Sequence, residues 1–159
     1  MNREILFRAK AINRDPDREY RTNYKNGDWV YGLITVPHND TYDLPAEMRN
    51  TDGVSGIDVD YRTIGQFTGL TDKNGTKIFE GDILQGDEYP YCLNGEYDYY
   101  AEVMWFGNGC CGFGLCARKI PESTIAGINN GYCEWFKDFD SNNWSVVGNI
   151  YDNPELIKE

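Results

Sequence analysis

The chain has 159 residues and carries a net charge of −11, from 15 Lys and Arg against 26 Asp and Glu. Its length suits one domain or two small lobes, and its 40% hydrophobic and 14% aromatic composition is that of a globular protein. So acidic a balance disfavours general nucleic-acid binding, in which neutralised phosphates supply the affinity, and leaves room only for a local basic patch from Arg3, Arg8, Lys10, Arg14, Arg18, Arg21 and Lys25.

Met1-Asn2-Arg3-Glu4 lacks the character of a signal peptide. No apolar run approaches the ~20 residues of a membrane helix. A soluble, intracellular protein is expected. Five cysteines, an odd number, fit reduced thiols better than a disulfide framework.

In chain order, Ile5–Ala11 is the first strand candidate. The polar stretch Asn13–Gly27 follows, closed by the turn signal Asn26-Gly27. Trp29–Val36, WVYGLITV, has the aromatic and β-branched content of a strand. Pro37–Gly56 reads as a loop-like insertion in which Pro45–Asn50 forms one or two helical turns. Thr63–Phe67 is the next strand. Asn74-Gly75 then sets a turn between Leu70-Thr71-Asp72-Lys73 and a strand candidate at Lys77–Leu84. Glu80-Gly81-Asp82 interrupts that run, and a glycine there predicts a bulge or sharp bend. Ala101–Phe106, Phe113–Ala117 and Trp144–Ile150 complete the strands, with Ile120–Gly131 undecided between helix and loop. Asn153-Pro154-Glu155-Leu156 carries the start signature of a brief helix. The class is mainly β with short helices, and the Gly81 bend suggests a small, partly open barrel resembling the SH3 type.

Several constellations could carry chemistry. Cys110, Cys111 and Cys116 lie close in sequence, with Cys92 and Cys133 farther away. Two ligand pairs at zinc spacing are missing, so buried apolar cysteines are expected, with a soft-metal or redox site at Cys110, Cys111 and Cys116 as the sharper hypothesis. His38, the sole histidine, sits in a turn-like segment without a nucleophile motif. Asp138-Phe139-Asp140-Ser141-Asn142 echoes a calcium loop but continues with Asn143 and Asn149 where glycine and glutamate belong. The pairs Glu80/Asp82 and Asp58/Asp60 have the i, i+2 spacing that puts two carboxylates on one strand face, a geometry able to hold magnesium or do acid–base work. No phosphate-cradling glycine motif occurs, and no cofactor is expected.

From Ile78 to Ala117 there is no Lys or Arg. Asp87, Glu88, Tyr89, Tyr91, Glu96, Tyr97, Asp98 and Tyr99 fall in that span and form the candidate interaction surface, since tyrosines offer amphipathic contact area and an acidic field attracts basic partners. Mimicry of DNA charge against a host DNA-binding protein is one way to use it.

Two segments bear a specific resemblance. Tyr61–Ile83, YRTIGQFTGLTDKNGTKIFEGDI, and Val146–Leu156, VVGNIYDNPEL, together with Phe7-Arg8-Ala9 and Gly27-Asp28-Trp29-Val30-Tyr31-Gly32, resemble the YopX family of small phage and prophage proteins. The segment from Asp87 to Asn143 matches that pattern least. The resemblance implies a single YopX-like domain over residues 1–159 and a phage or prophage origin, hence the cytoplasm of a bacterial host. It implies no particular reaction. The expected function is a non-enzymatic accessory protein that binds a protein partner, possible host proteins included, and that can form homo-oligomers. A nucleic-acid binder is the alternative, and a metal-dependent enzyme built on carboxylates such as Asp82 is a third.

Overall fold

The computed structural model describes residues 4–12, 23–36, 45–86, 99–107, 111–120, 133–136 and 140–158. These fold into two compact units, Met1–Phe67 and Thr68–Glu159. Among the described residues eleven strands make two antiparallel sheets, so the mainly β class holds. In chain order they are β1 (Phe7–Lys10), β2 (Trp29–Val36), β3 (Ala46–Asn50), β4 (Ile57–Val59), β5 (Gly65–Thr71), β6 (Lys77–Phe79), β7 (Asp82–Gly86), β8 (Tyr100–Phe106), β9 (Gly112–Lys119), β10 (Cys133–Trp135) and β11 (Trp144–Asn149); one sheet has the order β4-β3-β2-β1-β5-β6 and the other β10-β9-β8-β7-β11.

The amino-terminal unit contains β1 (Phe7–Lys10), β2 (Trp29–Val36), β3 (Ala46–Asn50), β4 (Ile57–Val59) and the start of β5 (Gly65–Thr71). Side chains alternate across each strand, and one face collects Ala9, Val30, Ala46, Met48, Ile57 and Val59 into a core. Phe7, Tyr24, Ile34, Val54 and Ile64 pack around it. Beyond β1, an isolated antiparallel bridge joins Ala11 to Val59. Ile12 N–H donates to the Asp58 carbonyl at 2.8 Å, and Asp60 N–H to the Lys10 carbonyl at 2.9 Å. The end of β1 therefore curls onto β4. The expected partly open barrel is realised only as this curl; no closed barrel forms among the described residues. Gly32 is required where β2 meets β3, because a Cβ there would collide with the Arg49 carbonyl.

Two expectations change in this unit. Within Pro45–Asn50 the chain forms a strand, Ala46–Asn50, not a helical turn: Ala46, Met48 and Asn50 point inward, and pairing with β2 and β4 overrides the helix-forming composition of Ala-Glu-Met-Arg. Tyr61–Thr63 is a 3-10 turn rather than the opening of a strand, with the Asp60 side chain accepting from Arg62 N–H. The strand begins at Gly65.

The carboxy-terminal unit contains the remainder of β5, then β6 (Lys77–Phe79), β7 (Asp82–Gly86), β8 (Tyr100–Phe106), β9 (Gly112–Lys119), β10 (Cys133–Trp135) and β11 (Trp144–Asn149). Ile78, Leu84, Tyr99, Ala101, Val103, Leu115, Ala117 and Trp144 form its core. The run expected as one strand over Lys77–Leu84 is two. Gly81 takes φ +80° at the corner, where its N–H donates to the Val103 carbonyl and its own carbonyl accepts from Ile150 N–H, both at 2.9 Å. The predicted bend is thus present. The Asn74-Gly75 turn is also present, organised by Asp72, whose Oδ1 accepts from the N–H groups of Asn74 and Thr76 at 2.8 Å each. The brief helix near the end is a 3-10 turn, Pro154–Leu156; Asn153 makes no side-chain cap and its Oδ1 instead accepts from Asn149 N–H at 3.4 Å.

Candidate interaction face

Asp87, Glu88, Tyr89, Tyr91, Glu96, Tyr97 and Asp98 lie outside the described residues. Tyr99 is described, and it is no surface residue: it is 2% exposed, and its ring packs on Trp144 with centroids 5.6 Å apart. An aromatic at the mouth of β8 is worth more to the core than to solvent.

The outer face of the amino-terminal sheet is better defined. The register sets Lys10 opposite Trp29, Arg8 opposite Tyr31, and Arg49 opposite Leu33. A shift between Ile34 and Val36 brings Val36 opposite Glu47, and Glu47 lies opposite Asp58. These residues share the face turned away from the core. Leu33 is 49% exposed, Val36 42% and Tyr31 39%. Single exposed apolar residues are ordinary, but three in a row on one face of an interior strand form a patch. Of its cations Arg49 is exposed, Lys10 half-buried and Arg8 buried at 6% exposure. The Arg8 guanidinium lies 4.7 Å from the Trp29 ring centroid, and the Lys10 ammonium 5.3 Å from the same ring. Such contacts are attractive, contributing about 0.5–1 kcal/mol at exposed sites and more where the cation is desolvated. The alternation that builds this face is visible in WVYGLITV. Which side faces out is not, because Trp29, Tyr31 and Leu33 look as apolar as Val30, Gly32 and Ile34.

The other candidates are placed as follows. Asp82 is 1% exposed, and its Oδ2 accepts from Phe79 N–H at 2.7 Å, so its carboxylate serves the β6–β7 corner. Asp60 pairs with Arg62 at 2.9 Å, and Asp58 lies on the outer face. Asp140 caps the 3-10 turn Ser141–Asn143, with Oδ1 accepting from Asn142 N–H at 3.0 Å. His38, Cys92, Cys110 and Asp138 lie outside the described residues. Cys111 is exposed just before β9, whereas Cys116 is buried and faces Cys133 across β9 and β10. Cys133 is the member that spacing did not suggest, since only strand pairing brings it near. Among the described residues no group of three or more His, Cys, Asp or Glu could hold a metal ion. None of the described helices is long and apolar enough to cross a membrane.

Two open antiparallel sheets, short 3-10 turns in place of helices, and a cation-flanked aromatic face define a small, mainly β protein. The chain belongs to the YopX family: the family model described as YopX protein matches residues 15–158. That span contains the blocks at 27–32, 61–83 and 146–156, and leaves Phe7-Arg8-Ala9 outside it. A solved structure described as "Crystal structure of protein EF1440 from Enterococcus faecalis" is similar over 99% of this chain and 100% of that one, at 22% identity and a TM-score of 0.50. That likeness concerns the fold alone. No curated protein matches the chain.

Proposed function

We propose that the chain is a non-enzymatic interaction protein of phage or prophage origin, working in the cytoplasm of a bacterial host through the outer face of its amino-terminal sheet. The observation that carries this is the exposure of Tyr31, Leu33 and Val36 on β2, framed by Lys10 and Arg49. An apolar centre with a polar, charged rim is the anatomy of a protein contact surface. Lys10 and Arg49 share this face with the carboxylates Glu47 and Asp58, so it suits a partner that sets apolar side chains at the centre and charges of both signs around them.

A native mass spectrum of the protein purified without added metal or ligand, beside a denatured control, tests the class of function. A bare protein, as monomer or homo-oligomer, supports an interaction role. A retained metal, nucleotide or nucleic-acid fragment contradicts it.

One feature favours nucleic acid as a second reading. Lys10 lies over Trp29 beside Tyr31, and a cation among aromatics on a sheet is how single strands are held, while the neighbouring Arg8 is buried. Binding of a single-stranded oligonucleotide that weakens steeply with salt, and is lost in Tyr31→Ala, would favour it over the protein partner.

A further inference from the structure

Cys116 and Cys133 are direct partners in the antiparallel register of β9 and β10, and their sulfurs lie 3.4 Å apart. Residues paired in this way have Cα atoms about 4.5–5.5 Å apart, inside the roughly 4.4–6.8 Å span that disulfides occupy. The two thiols differ in access: Cys116 is buried, Cys133 exposed. Glu102 lies opposite Cys116 on β8, and Arg118, two residues along β9, is paired with Glu102 at 2.7 Å. β10 is the terminal strand of its sheet, with three residues, and its strand neighbour is β9.

We propose that Cys116 and Cys133 form a dithiol site that small-molecule disulfides oxidise, fastening the edge strand β10 covalently to β9. Cys133, the accessible thiol, reacts first as its thiolate. It attacks one sulfur of the small disulfide, the reagent's S–S bond breaks, and one small thiolate leaves. Cys116 then gives its proton to solvent and attacks the Cys133 sulfur. The mixed disulfide breaks and the second small thiolate leaves; both leaving thiolates take up protons. Two cysteine thiols are oxidised and one small disulfide is reduced to two thiols. Burial and the contact with Cys133 push the Cys116 thiol up to about 11, while nearby Arg118 pulls the other way. That supports Cys133 as the entry point and Cys116 as the resolving thiol.

The test incubates the full chain in glutathione buffers of graded ratio, blocks the remaining thiols, and maps the peptides by mass. The expected result is a linked pair of peptides containing Cys116 and Cys133 at oxidising ratios, reversed at reducing ones, and unchanged in Cys111→Ala. Cys116→Ser should strand glutathione on Cys133, and Cys133→Ser should leave Cys116 unmodified. The map of the unsubstituted chain decides the matter even if a variant fails to fold. No Cys116–Cys133 link at any ratio, or a persistent glutathione adduct on Cys133 with Cys116 intact, would overturn the proposal.

Discussion

The carboxylate of Asp72 accepts a hydrogen bond from the N–H of Val146 at 2.9 Å, across 74 residues of sequence. Asp72 belongs to the block Tyr61–Ile83, and Val146 opens the block Val146–Leu156. The same two segments also meet where β7 pairs with β11 and where the Gly81 carbonyl receives Ile150 N–H. The two most family-like stretches thus build one corner of the carboxy-terminal unit.

Asp72 is the polar centre of that corner. It is buried and serves the N–H groups of Asn74, Thr76 and Val146. Asp72→Ala strands those donors, and should cost about 2–4 kcal/mol, since hydrogen bonds to a charged group contribute about 1.5–3 kcal/mol each but not additively. Asp72→Asn keeps one acceptor and should cost less. Urea unfolding checks this: the midpoint falls while the slope stays constant.

The same carboxylate sets a pH dependence. Burial, the largest single influence, raises its pKa, but the hydrogen bonds from Val146, Thr76 and Asn74 together outweigh it and hold the pKa below the ordinary value of 3.8. A pKa depressed on folding adds stability that is fully present above the unfolded-state value and is lost as pH falls through the folded one. Stability should therefore drop as pH falls below about 4, near the unfolded Asp value. Asp72→Asn should show a shallower loss over the same window when unfolding is followed from pH 6 to pH 2. An equal slope in both proteins would assign the acid response to other groups.

Gly32 allows β2 and β3 to approach, because any Cβ meets the Arg49 backbone, which cannot swing aside as a side chain could. Gly32→Ala should destabilise by about 2 kcal/mol or more, above the usual range for a surface substitution. Gly81→Ala meets only side-chain atoms of Tyr151 and Ile150 at 3.5–3.6 Å and suffers mainly from φ +80°. It should cost about 1 kcal/mol. Thermal melts of the two variants rank the effects.

Tyr99 separates a core role from a surface one. Packed on Trp144, it should cost about 3 kcal/mol when replaced by alanine, as large aromatic-to-alanine changes in cores do. A tyrosine on an acidic contact surface would cost almost nothing in stability. Chemical denaturation of Tyr99→Ala measures the difference.

Where local pattern and long-range pairing agree, sequence was enough: Trp29–Val36 is β2 to the residue, and the Gly81 interruption is a true corner. Where they conflict, pairing prevailed. Ala46–Asn50 has helix-forming residues but lies between two strands that need its hydrogen bonds. β4 and β10, three residues each, are too short for a period to show. The outer face and the Cys116–Cys133 pair depend on register, which no single segment encodes. Of the acidic surface expected from Asp87 to Tyr99, residues 87–98 lie outside the described structure and Tyr99 is in the core.

The central claim is that the outer face of β2 is a contact surface. A photo-crosslinking amino acid placed at Leu33, and in a control at exposed Lys77, tests it most directly in host lysate and in the purified protein. The account predicts discrete adducts from position 33, absent from position 77 and lost when Arg49→Glu is added, while Arg49→Glu alone changes stability by no more than about 0.5 kcal/mol. Equal labelling from both positions, or adducts that survive Arg49→Glu unchanged, would contradict it.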